Sequence, residues 1–448
     1  MIPTQRLYIL LCLGGALGLL LATLIDLSLG IAGTLTFDTF LFILAIWDGW
    51  RARLRRVQVS RMPLQRLSIG RDNPVLISVE TKQWPVFILI RDTYPINFTV
   101  STATLTAILP PQTREELSYS IHPDHRGEYQ WGNIYLRQLS PWGLVWSQWQ
   151  TPATETVAVY PDLIGLRALS IRLTLENSGT LRQIRRSGAG TEFAELREYR
   201  VGDDTRLIDW KATARRSRPL VRVLEPEKEQ TLLILLDRGR LMTTQVQGLK
   251  RFDWGLNATL SLALAGLNRG DRVGVAVFDR EITTWVAPER GNHQLSKLLE
   301  TLTPIQPVLL EPDYMSAVTK VVNQQTRRSL VVMITDLIDI TASAELLGAM
   351  MRLTPRYLPF CVTLRDPEVD QLAHQTLSAS GAGEKVTDPQ KVLEQAYRRS
   401  VALDLLSQRQ VAFAQLKQKG VLVLDAPASQ ISDQLVDRYL QLKARNLL

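Results

Sequence analysis

Cysteine and histidine are scarce in this 448-residue chain, which has two of the first and four of the second. Cys12 lies in an apolar N-terminal run and Cys361 in an expected core strand, so the two are not expected to pair. That excludes a disulfide scaffold and favours a reducing compartment for the soluble part. His122, His125, His293 and His374 are scattered; only His122 and His125 are near neighbours, in an expected loop without further ligands. No zinc site follows from them. The chain has no Gly-x4-Gly-Lys-Ser/Thr loop, which excludes P-loop ATP binding. It also lacks His-Glu-x2-His, Cys-x2-Cys and Gly-x-Ser-x-Gly. No internal repeat or low-complexity tract is present.

Two long apolar runs open the sequence. Leu7–Ile25 carries no charge, and about 20 such residues span a bilayer as a helix. The second, Leu27–Trp47, contains Ser28, Thr34, Thr36, Asp38 and Thr39 and then meets Arg51, Arg53, Arg55 and Arg56. Arg6 precedes the first run, and the link between the runs has no Lys or Arg. Positive charge marks the cytoplasmic side, so the expectation is a transmembrane helical hairpin in the cell membrane, with both ends and the soluble domains cytoplasmic. Asp38 requires a place near the interface or against the partner helix. The alternative, a signal peptide cleaved near Ala32, leaves the second run unexplained. The net charge of +8 suits an anionic leaflet. Nothing in the basic clusters has the aromatic interleaving of a nucleic-acid binder, so no nucleic-acid partner is expected.

From about Val57 to Pro161 the pattern is one of short strands. Val75–Thr81, Val86–Arg91, Thr99–Leu109, Leu117–Ile121, Gly127–Leu136 and Gly143–Trp149 are separated by turn residues, a spacing that predicts a β-sandwich. From Thr231 strands and helices alternate, which predicts a mostly parallel sheet covered on both faces. Its expected strands are Thr231–Leu236, Arg272–Phe278, Ser329–Thr335, Tyr357–Leu364 and Gly420–Asp425, with Glu281–Val286 hairpinning back. Helices are expected over Leu249–Leu267, His293–Leu302, Tyr314–Gln324, Ala342–Leu353, Lys391–Lys417 and Ile431–Ala444, and a loop over Ser378–Pro389. The expected boundaries are 1–50 for the hairpin, 51–165 for the sandwich, 166–226 for a charge-dense joining segment and 227–448 for the α/β domain.

The joining segment contains Gly190-Thr-Glu-Phe-Ala-Glu-Leu-Arg-Glu-Tyr-Arg-Val-Gly-Asp-Asp-Thr-Arg-Leu-Ile-Asp-Trp-Lys-Ala-Thr-Ala-Arg215. Asp204 or Thr205 is expected to cap a helix, Trp210 to anchor packing, and Asp203 and Asp204 to form ion pairs with Arg197, Arg200, Arg206 and Arg215. This stretch resembles the signature of the domain of unknown function 58 family, EFxxLREYxxGDDxRxIDWKAxAR followed by a von Willebrand factor A-like domain. The resemblance implies that fold for residues 227–448 (Rossmann-like, with a mostly parallel sheet). It also implies a membrane-anchored adaptor that works with a MoxR-type AAA+ ATPase. The signature residues singled out as docking or structural are Glu192, Phe193, Arg197, Tyr199, Gly202, Asp203, Asp204, Arg206, Asp209, Trp210 and Arg215. The rival reading is a metal-assisted hydrolase using Asp203, Asp204 and Asp209. No His, Cys or Ser nucleophile with a base lies near them, which disfavours it.

Von Willebrand factor A-like domains hold a cation on Asp-x-Ser-x-Ser, a Thr and a later Asp. Here the first loop reads Asp237-Arg-Gly-Arg-Leu241, with Gly239 and Leu241 in place of the serines. Asp336 fits the later Asp, while the Thr position falls near Glu311 and Asp313 without a match. One reading is a residual metal site on Asp237 and Asp336. The other is a degenerate site whose carboxylates cap loops or pair with Arg238 or Arg240. The second is favoured, since Mg2+ needs several well-placed oxygens. No resident cofactor is therefore expected.

Overall fold

The computed structural model describes residues 1–64, 66–180, 192–225, 230–337, 340–374 and 389–445. The chain divides into two compact units, Met1–Tyr160 and Pro161–Leu448.

The first unit begins with helices α1 (Gln5–Leu24) and α2 (Leu27–Leu54), both long and apolar enough to cross a membrane. They pack against each other through small residues. A side chain on Gly14 would strike Phe37, one on Gly18 would strike Thr34, and one on Gly30 would strike Ala22. Helices in lipid gain contact by close approach of this kind, because burying apolar side chains brings no hydrophobic gain there. Asp38 faces its partner helix, with one carboxylate oxygen buried beside Gly14. The boundary expected at residue 50 falls inside α2, which runs on to Leu54.

The hairpin is joined directly to the strands that follow. The buried Asp48 of α2 accepts from the backbone N–H groups of Trp142 (3.1 Å) and Leu144 (3.4 Å). The Thr4 hydroxyl donates to the Gly143 carbonyl at 2.7 Å, and Ile2–Pro3 pairs antiparallel with Val145–Trp146. Trp47 packs on Trp142, and the Arg51 guanidinium lies over Trp47.

One sheet of this unit has the order 58–61, 73–80, 114–123, 98–100; a second has 2–3, 145–151, 134–139, 86–92, 105–109. A third, smaller sheet is formed by 67–68, 155–160 and 127–131. Alternate residues are buried: Val75, Ile77 and Val79 on one strand, Ile88 and Ile90 on another, Ile134 and Leu136 on a third. A buried polar cluster ties the first two sheets together, where the Asp92 carboxylate accepts from the Arg61 guanidinium and from the Tyr119 hydroxyl (2.7 Å). Two expected strands are each divided. Thr99–Leu109 breaks into Phe98–Val100 and Leu105–Leu109, which join different sheets. Gly127–Leu136 breaks into Gly127–Trp131 and Ile134–Leu139 at Gly132, where a Cβ would lie 2.9 Å from the Thr93 side chain.

The second unit is built on six strands: β1 (Thr231–Asp237), β2 (Arg272–Phe278), β3 (Ile282–Glu289), β4 (Leu330–Thr335), β5 (Leu358–Arg365) and β6 (Leu422–Pro427). Their order is β3-β2-β1-β4-β5-β6, parallel throughout except for β2 with β3. Every residue of β1 is buried, because the sheet is covered on both faces. Leu232, Ile234 and Leu236 enter one apolar cluster; Leu233 and Leu235 enter the other. The first cluster takes in α3 (Leu163–Thr180), α5 (Arg251–Asn268), α6 (Asn292–Leu302) and α11 (Ile431–Ala444). The second takes in α7 (Tyr314–Gln324), α8 (Ile340–Leu353) and α10 (Pro389–Gln418). Helix α3 was not expected, although Leu163, Leu166, Leu169 and Leu173 repeat at helical spacing and pack on that first cluster. The short α9 (Pro367–His374) was not expected either. The expected loop over Ser378–Pro389 lies, save for its last residue, outside the described residues.

Candidate functional site

Two acidic regions of the second unit are candidates. The first is the edge of the sheet beyond the carboxyl ends of its parallel strands. Between β1 and β4 the strand order changes direction, and open α/β sheets bind ligands in the crevice at that point.

Asp237 ends β1 and is fully buried. One of its oxygens accepts from the Gly239 N–H (2.7 Å), the other from the Thr335 hydroxyl (2.7 Å). Tyr314 completes the chain, its hydroxyl 3.0 Å from Thr335 Oγ1. Burial pushes the Asp237 carboxyl up to about 6, against the opposing effect of these hydrogen bonds. Asp336, also buried, is held between two guanidinium groups. Arg409 Nη1 of α10 donates to one oxygen at 2.7 Å, and Arg251 Nη1 of α5 lies 2.6 Å from the other. Arg409 also donates to Asp425 Oδ1 (2.9 Å) and to the carbonyls of Leu337 and Leu364. Thr363 Oγ1 donates to the same Asp425 oxygen at 2.9 Å. Burial works against the Arg409 charge, but Asp336 and Asp425 hold the guanidinium above its ordinary pKa.

Neither Arg238 nor Arg240 takes the carboxylates of Asp237 or Asp336. Arg238 pairs with Asp279 (2.7 Å) and Arg240 with Glu311 (2.7 Å). Asp313 caps α7, accepting from the Ser316 N–H. The first loop is held by backbone contacts: Arg240 N–H to Leu310 O, and Val308 N–H to Arg238 O. At Gly239 a Cβ would lie 2.8 Å from Leu310 O, so a serine does not fit there without moving that loop. The donor set thus does not suit Mg2+: one carboxylate is engaged by N–H and O–H donors, the other by two fixed cations. Among the described residues no three acidic, His or Cys side chains form a metal-holding group.

The second region is the signature. Glu192–Glu198 and Leu220–Glu225 pair antiparallel as a two-stranded ribbon, with a 3-10 turn (Thr205–Leu207) and α4 (Trp210–Arg216) between them. Asp203 makes a bidentate pair with Arg197 (2.6 and 2.8 Å) and accepts from the Arg200 N–H. These hydrogen bonds hold its carboxyl below the usual range. Asp204 caps only the 3-10 turn, at the Arg206 N–H, so the expected helix start lies later. Asp209 caps α4 at the Ala212 N–H and pairs with Arg222 (2.9 Å), which also lowers its pKa. Each carboxylate therefore serves its own turn. Trp210, expected as a packing anchor, is 71% exposed. It follows the Asp209 cap in the first turn of α4, outside the apolar pair Leu220 and Val221, which is buried. Val201 and Leu196 are exposed too, as are Arg206 and Arg215; Tyr199 is half-buried, and Gly202 makes the turn with φ +106°. The side chains of Glu192 and Phe193, and the basic run Arg182–Arg186, lie outside the description.

Reading the sequence missed Arg409, Arg251, Asp425, Thr363 and Tyr314. Thr363 and Asp425 lie side by side near the carboxyl ends of neighbouring strands, and that position was the available signal. Arg409 lies on a long helix among other charged residues, and no local pattern marks it.

The family model described as "Protein of unknown function DUF58" matches residues 195–402. An uncharacterized protein of Mycobacterium tuberculosis is 26% identical over 151 residues, 33% of this chain and 48% of that protein. The uncharacterized protein YeaD of Bacillus subtilis is 24% identical over 184 residues, 40% of this chain and 42% of its own. The match thus spans less than half the length of these relatives. Among solved structures, the conserved hypothetical protein BatB from Bacteroides thetaiotaomicron aligns with 48% of this chain and 99% of its own, at 14% identity and a TM-score of 0.31. What this chain shares with the DUF58 family model is most of the ribbon and the six-stranded domain as far as α10.

Proposed function

We propose that the protein is a membrane-anchored, non-enzymatic docking protein, and that its signature ribbon is the surface offered to a cytoplasmic MoxR-type AAA+ ATPase. One observation carries the reading: the ribbon's carboxylates are engaged within the segment, while Trp210, Val201 and Leu196 are left exposed. An exposed tryptophan with arginines around it is the composition of an interface hot spot. The ATPase itself is named on the strength of the sequence resemblance. Helices α1 and α2 serve as a two-pass anchor with both ends cytoplasmic, and the six-stranded domain has a von Willebrand factor A-like fold, which its strand order and single antiparallel edge strand support. The hydrolase reading is disfavoured, since a general acid–base pair needs carboxylates free to face a substrate.

The test is a mild-detergent pull-down of tagged full-length protein from native membranes, beside Trp210→Ala and Val201→Asp. Co-purification of an AAA+ ATPase with the wild type, and its loss with folded variants, is the expected result. Equal recovery with and without Trp210 and Val201 would remove the ribbon from the interface. No ATPase in either nucleotide state would end the adaptor reading.

A further inference from the structure

We infer that Arg409 is the resident cation of the sheet edge, and that the six-stranded domain needs no divalent metal there. The charge at that edge is complete without one. Asp336 meets Arg409 on one oxygen and Arg251 on the other, and Asp425 meets the second arm of Arg409. The guanidinium also satisfies two backbone carbonyls, Leu337 just beyond β4 and Leu364 in β5. One group thus joins carboxylates and carbonyls from the ends of β4, β5 and β6, which is the set of oxygens a hard cation would otherwise gather. A planar, permanently charged fork suits such a site better than the point charge of lysine.

Two further observations agree. The Asp237 carboxylate, on the neighbouring strand, is taken up by donors alone, the Gly239 N–H and the Thr335 hydroxyl. The loop that would carry a hydroxyl ligand is closed at Gly239 by Leu310 O. The cation therefore arrives on a helix rather than from solution. Helix α10 is fixed over the edge by the same contact, with Phe413 and Leu416 buried beside Cys361 and Val421 in the apolar cluster below. The edge is consequently a permanent joint between α10, α5 and the sheet, indifferent to the metal content of the medium.

Titration of full-length protein in detergent with Mg2+ and with Mn2+, read by calorimetry and by the melting temperature against EDTA, tests this directly. No saturable binding at this edge and an unchanged melting temperature are expected. Arg409→Met is expected to lower the melting temperature by several degrees, and Arg409→Lys by less. Saturable binding that disappears in Asp336→Asn or Asp237→Asn would overturn the inference, as would an Arg409→Met protein that melts with the wild type. The metal titration on wild type decides even where Arg409→Met does not fold.

Discussion

The acidic turn of the ribbon and the acidic edge of the sheet look alike as sequence and differ as structure. Asp203, Asp204 and Asp209 sit in the densest charged stretch of the chain, yet their partners lie 2 to 13 residues away and their surroundings are open to solvent. Asp237 and Asp336 follow apolar strands and are fully buried, with side-chain partners 73 to 98 residues away. Exposed ion pairs are screened and contribute little. A buried carboxylate has lost its water and depends on the groups that replace it. Charge density in a sequence thus marks where polar groups are abundant, while burial decides where removing one matters.

Breaking the sheet edge is the harshest test of that difference. Asp336→Ala leaves Arg409 and Arg251 facing each other with their shared carboxylate gone, and loss of one partner from a buried pair costs about 3–5 kcal/mol. Urea unfolding of the full-length protein followed by circular dichroism is expected to show a fall of that order. A change within scatter would mean that the edge is wetter and looser than its geometry.

Asp237 sharpens the contrast through pH. Its carboxyl is pushed up to about 6 from the ordinary 3.8, chiefly by burial. The folded state therefore binds the proton more tightly than the unfolded chain. Its favourable contribution is complete below about pH 4 and is lost as pH rises through about 6, leaving a penalty of about 3 kcal/mol at neutral pH. Asp237→Asn removes that dependence while its amide still offers an oxygen to the Gly239 N–H. The variant is expected to melt at or above the wild-type temperature at pH 7.5, and the gap between the two to close by pH 4. A variant less stable than wild type at every pH would refute this account.

Many of the strands and helices were legible because they rest on period. Alternation gives the strands around Val75 and Val86, continuous apolar runs give β1, β2 and β4, and helical spacing gives α5, α7 and α11. Bounds slipped where local chemistry overrides pattern. At Gly132, where a Cβ would meet Thr93, the chain passes from one sheet to another, and the signature bends into a ribbon because Asp204 and Asp209 cap successive short turns instead of one helix. The sheet-edge site was half legible. Asp237 and Asp336 follow apolar strands, so a strand-end carboxylate is visible in the chain. Arg409 becomes their neighbour only through tertiary packing, and a charged residue on a long helix carries no sign of that.

At the ribbon the carboxylates should be far more tolerant. Asp203→Asn keeps the turn's acceptor to the Arg200 N–H and loses the ion pair with Arg197, which is open to water. The melting temperature of the whole protein is expected to stay within experimental scatter. A drop comparable with that of Asp336→Ala would erase the distinction between the two regions.

Trp210→Ala gives the smallest stability effect of all and the largest consequence for the proposed docking. A buried tryptophan truncated to alanine typically costs 3–5 kcal/mol, through lost contacts and the cavity left behind. At 71% exposure Trp210 has few such contacts to lose, and alanine is the better helix former at the start of α4. Melting and urea curves should therefore superimpose on wild type or shift slightly upward. If Trp210 anchors a partner, binding should fall by an order of magnitude or more, since tryptophans at interface centres dominate affinity. Loss of stability without loss of binding is the reverse pattern. It would return Trp210 to the core and leave the ribbon as a staple instead of a docking surface.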